Sequence, residues 1–79
     1  METKYSAADQ IISPVSECIR KTRERLGVSQ AELSDRTRIP LSDIQRYEGA
    51  HFTPDLGHIL RIADALGVKP REVDPRPNP

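Results

Sequence analysis

Apolar residues recur along this chain at helical spacing, and strand signals are absent. Val15, Ile19, Thr22 and Leu26 share one face of a helix predicted from about Pro14 or Val15 to Leu26. Ser13 or Ser16 can cap its start, and Gly27 ends it. A second helix is predicted from Ser29 to about Thr37, with Ala31 and Leu33 facing inward. A third runs from Pro40 to about Glu48, with Ile44 and Tyr47 inward and Gly49 as its stop. A fourth is predicted with Thr53 as cap and Pro54 in its first position. Its apolar stripe is Leu56, Ile59, Leu60, Ala63 and Leu66, and Gly67 closes it. Ile62 lies off that stripe, as a scattered surface residue or part of a dimer contact. Residues 69–73 read as a short fifth helix, with Val68 and Val73 closing the core. The pattern predicts an all-α fold, a compact bundle of four or five short helices.

The stretch from Ser29 to Glu48 is the most informative. The Ser29 hydroxyl can accept from a free N–H of the first turn, and Glu32 stands three residues on, so the pair makes a capping box. Pro40 has no N–H to donate and disfavours helix at Ile39, so the chain breaks there and a new helix can begin. Ile39 plugs the turn. Two helices joined by so short a link cross rather than lie antiparallel, which is a helix-turn-helix arrangement.

Size and charge narrow the picture. A chain of 79 residues allows one domain with a small core. Aromatic residues are 4% of the chain, so that core must be aliphatic. Residues 1–14 are polar apart from Ile11 and Ile12 and are expected to form a flexible arm, residues 15–74 the folded domain, and 75–79 an extended proline-rich tail. The 12 basic and 12 acidic residues cancel. Between Ile19 and Tyr47, however, Arg20, Lys21, Arg23, Arg25, Arg36, Arg38 and Arg46 outnumber Glu24, Glu32, Asp35 and Asp43. That modest local basic excess suits a polyanionic partner better than the total charge does.

Catalytic and metal chemistry find no foothold. Clustered nucleophiles, bases or ligands are missing, and no glycine-rich phosphate loop occurs, so no catalytic residue, metal site or cofactor is expected. His51 and His58, with Asp55 as the one nearby ligand candidate, read as exposed histidines. Cys18 is alone, which leaves no disulfide framework and reads as a small structural side chain. Neither a signal peptide nor a bilayer-spanning run is evident, so a soluble cytoplasmic protein without a membrane partner is expected.

The chain resembles the Xre family, the phage repressor and Cro type of helix-turn-helix protein, over roughly Val15 to Asp74. The resemblance is carried by Ile19, Arg20 and Arg23, the run Gly27-Val28-Ser29-Gln30-Ala31-Glu32-Leu33, then Ile39, Ile44, Glu48, Pro54, Leu56 and Ala63-Asp64-Ala65-Leu66-Gly67-Val68. It implies a small DNA-binding transcriptional regulator, a repressor by preference, whose third helix enters the major groove. The matching base-contact positions are Pro40, Leu41, Ser42 and Arg46, with Gln45 on the same outward face. Arg46 can pair bidentately with guanine, and Leu41 can touch a thymine methyl. Gln30 matches a family glutamine that contacts phosphate and braces the recognition helix, and Arg20, Lys21 and Arg38 are further phosphate candidates. Arg23 and Glu48 match a structural ion pair between the first and third helices. A two-fold dimer on palindromic double-stranded DNA is implied, with the dimer surface at the end formed by the fourth and fifth helices.

Three positions depart from the family pattern. Arg38 stands where a glycine is common, Pro40 where serine or threonine is common, and Ala50 where the glycine after the third helix usually lies. Asp43 adds repulsion near phosphates and Leu41 adds apolar surface. A second reading therefore stands beside the first. On the same fold, Leu41, Ser42, Gln45 and Ile62 would meet a protein, and the chain would be an antiactivator sequestering a transcriptional activator. An antitoxin-type regulator that binds both DNA and a protein is a third.

Overall fold

The computed structural model describes residues 7–75. Five helices follow in order: α1 (Ala7–Arg25), α2 (Gln30–Thr37), α3 (Leu41–Glu48), α4 (Leu56–Leu66) and α5 (Pro70–Val73). The all-α bundle expected from the periodicity is the fold observed. Helix α1 packs on α3, α4 and α5, while α2 packs on α3 and α4. Val15, Ile19, Val28, Leu33, Ile39, Ile44, Tyr47, Ile59, Ile62, Ala63, Leu66 and Val73 form one core. Polar pins cross it at the helix contacts. The Ser16 hydroxyl donates to the Tyr47 carbonyl at 2.5 Å, tying α1 to α3, and Thr22 donates to the Glu72 carbonyl at 3.3 Å, tying α1 to α5. Among the described residues no buried side-chain nitrogen or oxygen lacks a partner, as the cost of burying an unpaired polar group requires.

The helix ends follow local chemistry. Ser29 Oγ accepts from the Glu32 amide at 3.0 Å, and the Glu32 carboxylate accepts from the Ser29 amide at 2.9 Å, completing the capping box. These hydrogen bonds hold the Glu32 carboxyl below the usual carboxylate range. At the other end of α2, Thr37 Oγ1 donates to the Leu33 carbonyl and accepts from the Ile39 amide, which fixes the turn into α3.

Several boundaries differ from expectation. Helix α1 begins at Ala7, well ahead of the expected start, and Pro14 lies inside it. An interior proline removes one helix hydrogen bond and so disfavours, but does not forbid, helix upstream. Of the flexible arm expected over 1–14, residues 1–6 lie outside the described residues, as do 76–79 of the expected tail. Helix α4 starts at Leu56, with the Asp55 carboxylate accepting from the His58 amide, so Thr53 and Pro54 precede it. An ionised carboxylate is a stronger cap than a hydroxyl for the free amides of a first turn. After α3, the left-handed residue is Ala50 (φ 63), not Gly49 (φ −84). Ala50 donates to the Tyr47 carbonyl at 3.2 Å and His51 to the Arg46 carbonyl at 3.0 Å, a Schellman closure with alanine in the glycine position. Space at Gly49 is tight instead: a Cβ there would lie 3.0 Å from the His51 ring and 3.1 Å from the Gln45 carbonyl oxygen.

The core face of α4 is also rotated from the expected one. Ile62 is 0% exposed, whereas Leu56 and Leu60 are 70% and 47% exposed. Ile59, Ile62, Ala63 and Leu66 follow the i, i+3, i+4, i+7 pattern and face the other helices, which leaves Leu56 and Leu60 on one flank. The assignment of Ile62 to a protein-binding or dimer surface is therefore withdrawn. Ala31 is exposed because it lies two residues from Leu33, nearly opposite it on α2. Leu26 is exposed because the chain turns at Gly27 and Val28 closes the core in its place.

Two sets of variants test this arrangement. Ala50→Gly is expected to raise stability by about 0.5–1 kcal/mol, relief of left-handed strain outweighing the added chain entropy; a thermal melt with an unchanged or lower Tm would contradict it. Ile62→Ala is expected to cost about 2–5 kcal/mol and Leu56→Ala within about 0.5 kcal/mol. Urea denaturation showing equal losses would refute the rotated face.

Candidate nucleic-acid interface

The outer face of α3 is built by what its inner face must bury. Ile44 and Tyr47 point into the core, and this turns Leu41, Ser42, Gln45 and Arg46 outward. Pro40 supplies no side-chain cap and is itself exposed, so it stands with Leu41 at the leading end of the helix. Asp43 is half-buried. The structure thus gathers Pro40, Leu41, Ser42, Gln45 and Arg46 on one exposed surface. Arg38 lies just before it, exposed in a left-handed conformation (φ 64), with its amide bonded to the Ser34 carbonyl at 2.8 Å. Among the described residues the two non-glycine positions at positive φ, Arg38 and Ala50, thus bracket the helix.

Behind this surface lies a charged brace. Arg23 Nε donates to Glu48 Oε2 at 2.7 Å and Arg23 Nη2 to Glu48 Oε1 at 2.8 Å, a bidentate pair. The remaining guanidinium arm donates to the Val28 carbonyl at 2.8 Å. Gln30 Nε2 donates to Glu48 Oε1 at 3.0 Å. The two charged side chains are 10% and 4% exposed, so both carry a desolvation cost that these bonds offset, with Glu24 Oε2 also 3.9 Å from Arg23 Nη2. The carboxylate holds the Arg23 guanidinium pKa above its ordinary value. Helix α1, the start of α2 and the end of α3 are locked at one point. Gln30, expected at a phosphate and as a brace, makes the brace contact directly.

Arg46 is positioned more closely than its sequence context suggested. Its Nη1 lies 3.8 Å from Asp43 Oδ1, one turn back on α3. Its guanidinium carbon lies 5.7 Å from the centroid of the Phe52 ring, within cation–π range. Neither Phe52 nor the Asp43 pairing was singled out by sequence reasoning. The available signal was a lone phenylalanine placed in a polar loop. The other expected phosphate contacts are less free. Arg20 donates to Glu17 at 2.7 Å and to Glu24 at 3.3 Å, and Lys21 Nζ lies 3.7 Å from Glu17. Arg20 in turn holds the Glu17 carboxyl below its usual range. Arg36 and Arg38 make no ion pair among the described residues.

The remaining polar chemistry is structural. The Tyr47 hydroxyl is 2.5 Å from His58 Nδ1, with the rings edge-on at 5.8 Å. His58 is therefore a half-buried partner of α3, not an exposed side chain, and burial raises the Tyr47 phenol pKa. Burial likewise raises the Cys18 thiol, which opposes thiolate formation. Among the described residues no group of three or more His, Cys, Asp or Glu side chains converges as metal ligands would. No helix among the described residues is long and apolar enough to cross a membrane.

The sequence profile of the family described as helix-turn-helix, of the Xre and lambda-repressor type, matches residues 19–73. Two solved structures are similar. The restriction-modification controller protein C.AhdI from Aeromonas hydrophila is 27% identical with a TM-score of 0.75, over 78% of this chain and 94% of that one. A hypothetical transcription factor, NHTF from Neisseria, is 20% identical with a TM-score of 0.76, over 92% of this chain and 84% of that one, and shares the fold. No curated protein sequence matches the chain.

The brace has a measurable consequence. Glu48→Ala leaves the Arg23 charge buried without its partner and is expected to cost about 3–5 kcal/mol of folding stability. Gln30→Ala removes one hydrogen bond to a charged group and is expected to cost about 1.5–3 kcal/mol. Chemical denaturation in which Glu48→Ala loses less than Gln30→Ala would show that the pair does not hold the helices together.

Proposed function

We propose that this chain, which belongs to the helix-turn-helix family of DNA-binding transcriptional regulators, acts as a repressor by laying α3 in the major groove. The observation that carries this is the single exposed face of Leu41, Ser42, Gln45 and Arg46, presented by a helix fixed from behind by Arg23, Glu48 and Gln30. In this reading Arg46 pairs with the O6 and N7 of a guanine, and Ser42 and Gln45 bond base edges. Pro40 and Leu41 give apolar contact to a thymine methyl. The start of α2 at Gln30 approaches a phosphate with Arg38, and Arg20 and Lys21 reach others after exchanging their acidic partners for them. No catalysis and no cofactor enter this mechanism, and a cytoplasmic location is part of the proposal.

One such helix contacts too few base pairs for tight specific binding, so a two-fold dimer on a palindrome is part of the proposal, with half-sites about 34 Å apart. Leu56 and Leu60, adjacent on the exposed flank of α4, give that dimer an apolar surface near the expected end of the bundle. The similarity to a restriction-modification controller makes control of such a gene pair a physiological role to test. The exposed Leu41 side chain supports a second reading, in which the same face seats a protein such as a transcriptional activator.

Binding to random and upstream duplexes across a salt series separates the two. Sub-micromolar affinity for one site, with log K falling by about 0.9 per log salt for each phosphate contact, is expected. Arg46→Ala should weaken specific binding by about 1–3 kcal/mol and relax preference at one base pair. Absence of binding at low salt by the folded protein would overturn the repressor reading. A larger effect of Leu41→Ala on capture of a protein partner would favour the second.

A further inference from the structure

We propose that Phe52 is a positioning residue for sequence recognition: its ring, with the Asp43 carboxylate, holds the Arg46 guanidinium as a pre-set planar fork facing the groove. The proposal rests on the reading of α3 as the groove helix and adds a residue outside α3 to it. Phe52 is the single phenylalanine of the chain and remains 52% exposed in the α3–α4 loop, so burial in the core does not explain it. What it meets is Arg46, at 5.7 Å from guanidinium carbon to ring centroid.

The backbone makes this approach a built feature. The left-handed turn at Ala50 folds the chain back over the end of α3, and the His51 amide bonds to the carbonyl of Arg46 itself at 3.0 Å. The residue that carries the guanidinium is thereby tied to the residue preceding Phe52. On the far side of the loop, buried Pro54 and the Asp55 cap fix the chain where it enters α4. Asp43 constrains the guanidinium from a second direction, with Oδ1 at 3.8 Å from Nη1.

The cation–π contact places the guanidinium over the Phe52 ring, and the N–H donors not directed at Asp43 are what a guanine would accept from. Arginine is long and rich in rotamers, and ordering it on binding opposes affinity. The contact with Phe52 removes part of that disorder before DNA arrives. The contact therefore acts on discrimination at one base pair and adds no phosphate contact.

The test uses the full chain and the site selected by the wild-type protein from random duplexes. Binding to that site and to every single-base-pair variant is measured for the wild type, Arg46→Ala, Phe52→Leu, Phe52→Tyr and the double variant Arg46→Ala with Phe52→Leu. Thermal melts confirm folding of each. Phe52→Leu is expected to lower discrimination by about 2- to 30-fold, at the same base pair that Arg46→Ala relaxes. The salt slope should not change. Phe52→Tyr, which keeps the ring, should retain discrimination, and the double variant should lose no more than Arg46→Ala alone. Intact discrimination in folded Phe52→Leu, or a uniform loss at every position, would overturn the inference and leave the groove reading standing. An Arg46→Ala protein with unchanged base preference would overturn both.

Discussion

The Arg23–Glu48 pair is the constraint on which the rest of the molecule depends. Four backbone segments meet there: the last turns of α1, the turn at Val28, the start of α2 and the end of α3. In a core made almost wholly of aliphatic side chains, packing alone sets helix positions loosely, since hydrophobic contact is non-directional. A bidentate carboxylate–guanidinium contact is directional, and its burial makes misplacement costly. It fixes the angle at which α3 presents its outer face. Gln30 extends the same network to the first turn of α2, so the two ends of the helix-turn-helix unit are set by one carboxylate.

The turns around α3 show the opposite economy. Arg38 and Ala50 both take left-handed backbone where glycine is easier, and strain at such positions persists only where surrounding contacts enforce it. At Arg38 the residue retained instead of glycine is a cation beside the outer face. At Ala50 the turn carries His51 and Phe52 back towards Arg46. Both departures sit at the edges of the surface assigned to recognition, and at Arg38 the side chain is one that glycine would not supply.

Electrostatics follow a related logic. The chain has no net charge, yet much of its basic content is already paired: Arg20 and Lys21 with Glu17 and Glu24, Arg25 with Glu72, Arg46 with Asp43. Exposed pairs of this kind contribute little stability and are readily exchanged for another partner. On the proposed groove reading, a surface so balanced would bind nucleic acid weakly without sequence preference and leave more of the discrimination to base contacts by Arg46 and its neighbours.

The capping box at Ser29, the break at Pro40, the stripe of α1 from Val15 to Thr22 and the outward face of α3 were all legible in the sequence. Each depends on nearest neighbours along one helix: a hydroxyl three residues from a glutamate, a missing amide, a period of 3.6. The ion pair of Arg23 and Glu48 was legible through family resemblance alone, because no local rule pairs residues 25 positions apart. The tertiary structure decided the rest. Leu56, Ile59, Leu60, Ile62, Ala63 and Leu66 spread over nearly half of α4, and which part of that arc is buried depends on where α1, α2 and α5 lie against it. Only packing buries Ile62 and exposes Leu56. The pairing of Tyr47 with His58 and the cation–π contact of Phe52 with Arg46 likewise arise from the path of the α3–α4 loop, set by a left-handed alanine that local propensity disfavours. Sequence thus determined the helical segments, the capping box of α2 and the outward face of α3, since those are short-range. The tertiary structure determined the buried side of α4 and the orientation of Arg46, since those are contacts between elements.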